Sequence, residues 1–372
     1  MKIGFLTERM ILGYGVDLVT DKLAEGLSEM GHDVTVYCCF HDDTFLDGNY
    51  ELKVVPFPRV WTGSVSEYES RAEKALRPFL EHEDIWIVES HPFFKAASHF
   101  DRPWVAVDYG VVPSDPFPWL IRRRFDYIRR TQYGEYFPKS SRIVCISHFL
   151  RQNLPQTLKK KASVIHLGVD HYPKKPLVDL REELGLHGTI ILYQGRSTDT
   201  TPYKGVNTLL EAYSKLRTER DDVRLLISTS CSLEEQAGLE NAGATVLNGV
   251  LMPFVPSVYH CADIFATATQ WEGFDLPLLE ASSFGLPVVA FAIGAHSEIV
   301  EQGRTGYLVK DKTEFLDRVK RLIDDADLRK QMGKNGATFA AKFKWGGVVR
   351  EFERVVRETI EGGRRVADPL SA

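Results

Sequence analysis

Between residues 3 and 38 the chain alternates a strand-like run, a helical period and a second strand-like run, and the alternation restarts past residue 190. The run at 3–7 is short and apolar. Val16, Val19, Leu23, Leu27 and Met30 then recur at spacings of three and four, which marks one face of a helix. Gly31 ends that helix, and 34–38 reads as the next strand. A βαβ opening predicts a parallel sheet with helices on both faces. Further strand candidates stand at 85–88, 105–107 and 143–146.

Around 164–170 the chain passes another strand. It then enters HYPKKP at 171–176, a proline-bearing polar stretch suited to an interdomain linker. The second series places strands at 190–193, 223–227, 244–247, 264–267 and 288–291, with a helix at 206–216. Two sets of similar size predict two doubly wound α/β domains, 1–170 and 171–345, each with ligands at the carboxyl ends of its strands. The cleft between them is the expected place for chemistry. A length of 372 residues agrees, being more than one core usually supports.

Composition excludes several classes. A net charge of −5 argues against general nucleic-acid affinity. Cys38, Cys39, Cys145, Cys231 and Cys261 show no metal-site or redox spacing and read as reduced packing residues of a cytosolic protein. The N-terminus meets charge too early for a signal peptide. No stretch approaches the roughly 18 apolar residues of a membrane span. The expected location is cytoplasmic, with any membrane contact peripheral.

Gly13 and Gly15 flank Tyr14 between the first strand and helix, where backbone amides and the helix dipole favour an anion. A tight turn that lets the helix pack is the alternative. As a dinucleotide fingerprint the loop lacks its third glycine, and Asp33 precedes the second strand, so a nicotinamide-dependent oxidoreductase is a weak rival. The second half is more specific. The strand at 190–193 runs into Gly195 and Arg196, and Lys204 with Gly205 opens the following helix. An arginine fork and a lysine point charge at such ends can converge on a diphosphate without a metal ion. Further on, 272–280 reads EGFDLPLLE. Pro277 suits the first turn of a helix, which leaves Glu272 in the loop before it and Glu280 one turn inside. Glu280 can accept from the two hydroxyls of a ribose or serve as a first-turn dipole partner.

The ordered set Gly195–Arg196, Lys204–Gly205, Glu272 to Glu280, GLPVV at 285–289, EIV at 298–300, Gly303-x-Thr305-Gly306 and FKW at 343–345 resembles family 4 of the retaining glycosyltransferases with the GT-B fold. The resemblance covers 190–350 and is looser over 1–170. It implies two Rossmann-like domains facing a central cleft, the N-terminal one binding acceptor and the C-terminal one nucleotide sugar. It also implies a crossover segment, 346–372, whose helix returns to the N-terminal domain. Val349, Phe352, Val355 and Val356 share one face of that helix.

By the same resemblance Arg196 and Lys204 form the diphosphate clamp, with no cofactor and no metal. Glu280 binds the nucleotide ribose and Glu272 lies near the donor sugar. Backbone groups of Phe274, Asp275 and Leu276 face sugar and phosphates, the stretch ending at Val250 meets the base, and Gly15 closes over the phosphates. The implied catalytic set is Arg196, Lys204 and Glu272. Two departures stand out. Asp275 replaces a glycine of the family, either to select a sugar through a hydroxyl, the preferred reading, or to point to solvent. Tyr109 stands where many members carry a histidine; His91 is a weaker substitute.

The implied reaction moves a sugar from a UDP- or GDP-linked donor to an acceptor hydroxyl of a glycolipid, polysaccharide, glycan or small molecule. Rivals are a disaccharide or glucan synthase of the same family, a GT-B phosphorylase or epimerase, and a non-catalytic sugar-nucleotide sensor. Arg122, Arg123, Arg124, Arg129 and Arg130 interleave with Leu120, Ile121, Phe125 and Ile128, a pattern suited to seating a helix on anionic lipid at the inner face of the membrane. A solvated helix face or a site for a phosphorylated acceptor is the alternative.

Overall fold

The apolar runs become strands of two parallel sheets, one in each of two compact units. The computed structural model describes residues 1–11, 13–43, 48–56, 64–80, 83–196 and 201–367, the side chains of 363–367 excepted. One unit comprises Met1–Gly168 with the C-terminal helix from Trp345; the other is Val169–Lys344.

The first unit opens with β1 (Lys2–Leu6), β2 (Arg9–Met10), α1 (Gly15–Glu29), β3 (Asp33–Cys38), β4 (Phe40–His41) and β5 (Glu51–Val54). After α2 (Val65–Leu76) come β6 (Ile85–Val88), α3 (Phe93–Ala97), β7 (Trp104–Asp108), α4 (Trp119–Thr131), β8 (Arg142–Cys145), α5 (His148–Asn153), α6 (Gln156–Lys159) and β9 (Ala162–Val164). Its seven-stranded sheet runs β5-β3-β1-β6-β7-β8-β9, parallel throughout, and β2 pairs with β4 apart from it. β6 and β7 are buried along their whole length, Ile85 to Val88 completely, which is why such strands read as unbroken apolar runs and not as alternation. On α1, Val19, Leu23 and Leu27 are buried, but Met30 is 44% exposed. It occupies the C-cap, where the chain has left the helical path, and Asp17 takes an unexpected buried place at the other end.

The second unit holds α7 (Leu180–Glu183), β10 (Thr189–Gln194), α8 (Val206–Glu219), β11 (Val223–Thr229), α9 (Leu233–Asn241), β12 (Thr245–Asn248), α10 (Val255–His260) and β13 (Ile264–Thr267). It continues with α11 (Leu276–Ser283), β14 (Val288–Phe291), α12 (His296–Ile299), β15 (Gly306–Val309), α13 (Lys312–Asp324) and α14 (Ala326–Ala340). The sheet order is β12-β11-β10-β13-β14-β15, again parallel. Tyr193, Leu209, Tyr213, Leu225, Ile264, Phe315 and Leu322 belong to its core; each such side chain contributes roughly 1.5–3 kcal/mol by leaving water. From β10 the chain winds outward in one direction through β11 and β12, and from β13 in the other. The switch point therefore lies between β10 and β13, and the carboxyl ends of these strands are where open sheets of this kind take their ligands.

The last helix, α15 (Trp345–Ala367), belongs to the first unit and packs on α1. Gly26 allows the approach: a Cβ there would stand 2.5 Å from a methyl of Val349. Phe352, Val355 and Val356 are buried with Val349. No described helix is long and apolar enough to cross a membrane.

Candidate functional site

Three loops interlock at the switch point of the second unit. The first leaves β10 through Gly195, whose N–H bonds the Ser228 carbonyl at 3.0 Å, and reaches Arg196, an exposed side chain. Residues 197–200 of the polar loop lie outside the described residues. The chain turns through Pro202–Lys204 to Gly205, which caps α8 in the left-handed conformation, φ +68°. A Cβ at Gly205 would lie 1.9 Å from the Ala268 carbonyl oxygen, so only glycine lets this turn meet the end of β13. The Tyr203 carbonyl accepts from Gln270 N at 2.7 Å and lies 3.3 Å from Thr269 Oγ1, tying the two loops together.

This zipper brings Lys204 onto Glu272. The ammonium lies 2.5 Å from Glu272 Oε1, and the Thr269 hydroxyl donates to the same oxygen at 3.1 Å. Burial works against the Lys204 charge, but the Glu272 carboxylate, followed by Tyr193 and Asp275, outweighs it and raises the lysine above its ordinary range. Burial also pushes Glu272 up, Lys204 pulls it back, and Asp275 adds to the rise. The lysine is thus held charged beside a buried carboxylate that Lys204 and His296 draw back towards its ionised form.

The third loop follows β14. Gly294, at φ +53°, passes so close that a Cβ would sit 2.1 Å from the Glu272 carbonyl oxygen, and Ala295 N donates to that oxygen at 3.3 Å. Asp275 is left-handed, φ +79°, the one non-glycine residue with positive φ among those described. Glycine, which the resemblance implies here, enters this conformation freely, and aspartate is among the few other residues that enter it at modest cost. Its carboxylate is turned into the protein. Oδ1 accepts from Leu278 N at 3.4 Å, capping α11, and Oδ2 faces His296 Nε2 at 3.0 Å. The group does not point to solvent, its side chain being 7% exposed, and each of its oxygens already has a partner within the chain.

Phe274 is buried against Phe343 and Leu276 is buried, so what they can offer a ligand is backbone. Pro277 lies in the first turn of α11. Glu280, one turn in, is buried; Oε2 accepts from Tyr259 OH at 2.6 Å and Oε1 lies 3.1 Å from His171 Nε2. Val250 stands two residues after Asn248, whose side chain bonds the Cys231 backbone and Gln236 and so ties the end of β12 to the segment after β11. Sequence reading missed Thr269, Tyr259, His171 and His296. Their partners are 3, 21, 109 and 21 residues away, and no periodicity encodes such pairings.

Gly15 belongs to the first unit, as the opening residue of α1. That unit carries buried acids at its own strand ends. Glu89, just after β6, accepts from Tyr109 OH at 2.8 Å and from the Thr20 hydroxyl. Burial pushes its carboxyl up to about 7, that of Asp17 to about 7 and that of Asp108 to about 6. Tyr109 is thereby tied to a buried carboxyl group, and His91 lies 3.3 Å from Glu69 and stacks on Tyr68. On α4, Trp119 and Leu120 are 64% and 61% exposed beside Arg122, Arg123 and Arg124, which are exposed too.

Comparison with known proteins supplies the family. Residues 14–172 match the family model described as Glycosyltransferase Family 4, and residues 188–325 the one described as Glycosyl transferases group 1. A D-inositol 3-phosphate glycosyltransferase of Corynebacterium kroppenstedtii is 30% identical over 50% of this chain, a match that spans 44% of that relative's length. Sucrose-phosphate synthase from Thermosynechococcus elongatus superposes with a TM-score of 0.82 at 17% identity, covering 97% of this chain and 99% of that one. Anabaena HepE, solved in complex with UDP and glucose, gives 0.76 at 17% identity over 96% and 100%. The two family models between them take in both parallel-sheet units, and the fold is that of the solved structures: the chain belongs to the family 4 glycosyltransferases and is built as a GT-B protein.

Proposed function

We propose that this chain transfers a sugar from a UDP- or GDP-linked donor to an acceptor hydroxyl, with retention of anomeric configuration, and that the switch-point crevice of the second unit is its donor site. The observation that carries this is the Lys204–Glu272 contact, a charged lysine and a carboxylate delivered by two loops to the place where an open parallel sheet binds ligands. In this reading Lys204 exchanges part of its pairing with Glu272 for the donor diphosphate, and Arg196 at the end of β10 adds its fork of donors. As the bond from the anomeric carbon to the phosphate oxygen breaks, negative charge gathers on the diphosphate, and these cations stabilise it without a metal ion. The acceptor oxygen attacks from the face the diphosphate leaves, and its proton passes to a phosphate oxygen. Glu272 meets the sugar and Glu280 the ribose. The complex of HepE with UDP and glucose supports a donor of this class.

For the acceptor, the same proposal names a glycolipid, polysaccharide or glycan, reached from the cytoplasmic side. Exposed Trp119 and Leu120 beside three arginines support seating α4 on an anionic bilayer. Turnover of a panel of UDP- and GDP-sugars, read as nucleotide release, tests the reaction. Lys204→Ala is expected to cost about 10²–10³-fold, the scale for losing one preorganised stabiliser of transition-state charge. A variant that turns over like the parent removes the clamp. Sedimentation with anionic and neutral liposomes tests the docking; equal binding to both refutes it.

A further inference from the structure

We propose that His296 is a positioning residue, held as an imidazolium between Asp275 and the Phe291 carbonyl, that fixes the Glu272–Leu276 segment and cancels the charge which Asp275 brings to the crevice. The inference rests on the donor-site reading above. Each ring nitrogen faces an acceptor. His296 Nδ1 lies 2.7 Å from the Phe291 carbonyl oxygen, which can only accept, so Nδ1 carries a proton. Nε2 lies 3.0 Å from Asp275 Oδ2, and the other oxygen of that carboxylate already accepts from Leu278 N. A second ring proton completes both bonds, and charge-assisted bonds of this kind are the stronger sort. The ring is wholly buried and the Asp275 side chain nearly so, so an unprotonated Nε2 facing that carboxylate would leave two buried lone pairs opposed.

Charge balance makes the pair matter. Lys204 and Glu272 form one pair, Asp275 and His296 the next, and the four sit within one electrostatic neighbourhood together with Tyr193. Burial opposes the charge of His296, while Asp275, with a smaller contribution from the Glu272 carboxylate, restores it and raises the ring above the ordinary histidine range. With His296 charged the quartet is neutral. With a neutral His296 a buried net negative charge would confront an incoming diphosphate. Glycine, the residue of the family at this position, brings no such charge; here aspartate supplies the cap of α11 and histidine neutralises it. The loop carrying His296 also contacts the segment at two further points, Gly294 and Ala295 against the Glu272 carbonyl, so the ring completes a three-point clamp.

Histidine 15N–1H spectra of the full chain test the protonation directly. Two ring N–H signals for His296, assigned by their loss in His296→Asn, are expected to persist at pH 8; a single one overturns the imidazolium. Binding of UDP and of GDP, titrated calorimetrically in separate experiments, tests the positioning role. His296→Ala is expected to weaken binding about tenfold or more, since truncating one partner strands a buried charge. Asp275→Gly in that background should restore most of the loss by removing the stranded carboxylate and returning the backbone to a residue that favours left-handed φ. Parental binding by His296→Ala, or a double variant no better than the single, overturns the role. If the parent chain binds neither nucleotide, the donor-site reading fails and the positioning role with it, while the spectra still decide the proton.

Discussion

Removing the Lys204 ammonium should cost stability as well as turnover, and the stability loss should depend on pH in a direction the geometry dictates. The two side chains are only 20% and 12% exposed. Breaking a buried pair by deleting one partner costs about 3–5 kcal/mol, and the residual exposure places this pair near 3. For a unit the size of Val169–Lys344, about 2–4 °C of melting temperature accompanies each kcal/mol, so Lys204→Ala should melt roughly 6–12 °C lower at pH 8. Burial already raises the Glu272 carboxyl, and without the lysine nothing nearby pulls it back but the Thr269 hydroxyl and His296. A group whose folded pKa is raised contributes stability below its unfolded value and loses it as pH rises through the folded one. The deficit should therefore shrink towards pH 5, where Glu272 accepts a proton, and Glu272→Gln should abolish its pH dependence. Differential scanning calorimetry of the parent, Lys204→Ala and the double variant at pH 5 and 8 reads all of this. A deficit equal at both pH values, or none at pH 8, refutes the buried-pair reasoning.

Gly205→Ala should destabilise the second unit by about 1–2 kcal/mol from left-handed backbone alone, and by more from the contact with the Ala268 carbonyl; a denaturation midpoint within error of the parent would contradict the turn geometry. In the first unit, Asp17, Glu89 and Asp108 all have raised folded pKa values, about 7, 7 and 6. Its stability should fall as pH rises from 4 to 7, and Glu89→Gln should flatten that slope in urea titrations at several pH values. Tyr259→Phe should cost about 1.5–3 kcal/mol, the scale for a hydrogen bond to a charged group, and should weaken nucleotide binding if Glu280 meets the ribose; unchanged calorimetric values on both counts would separate Tyr259 from that carboxylate.

The strands that sequence reading placed to the residue, 85–88, 264–267 and 288–291, are fully or nearly buried on both faces of a parallel sheet, so their apolar runs have no rival reading. β5 and β15 escaped it because both are edge strands of four residues, one of them Glu-Leu-Lys-Val and largely exposed, the other opened by a glycine. In the site, Arg196, Lys204, Glu272 and Glu280 were visible because linear order places them at strand and helix ends. Side-chain partnership was not. That Lys204 touches Glu272, and that Glu280 is shared by Tyr259 and His171, depends on which loops the sheet order makes neighbours. The left-handed backbone of Asp275 and its pairing with His296 were not read from the sequence, since neither a single φ nor a partner 21 residues away leaves a periodic signal.

The placement of α15 has a consequence for how the molecule is made. Its buried Val349, Phe352 and Val356 complete the core of the unit whose other residues end at Gly168. On a ribosome, residues 169–344 emerge as one uninterrupted stretch and hold all six strands of their own sheet, whereas the earlier-synthesised unit must wait for its final helix. The order of completion is thus the reverse of the order of translation. Until Val349 is made, the side of α1 that carries Gly26 lacks its packing partner.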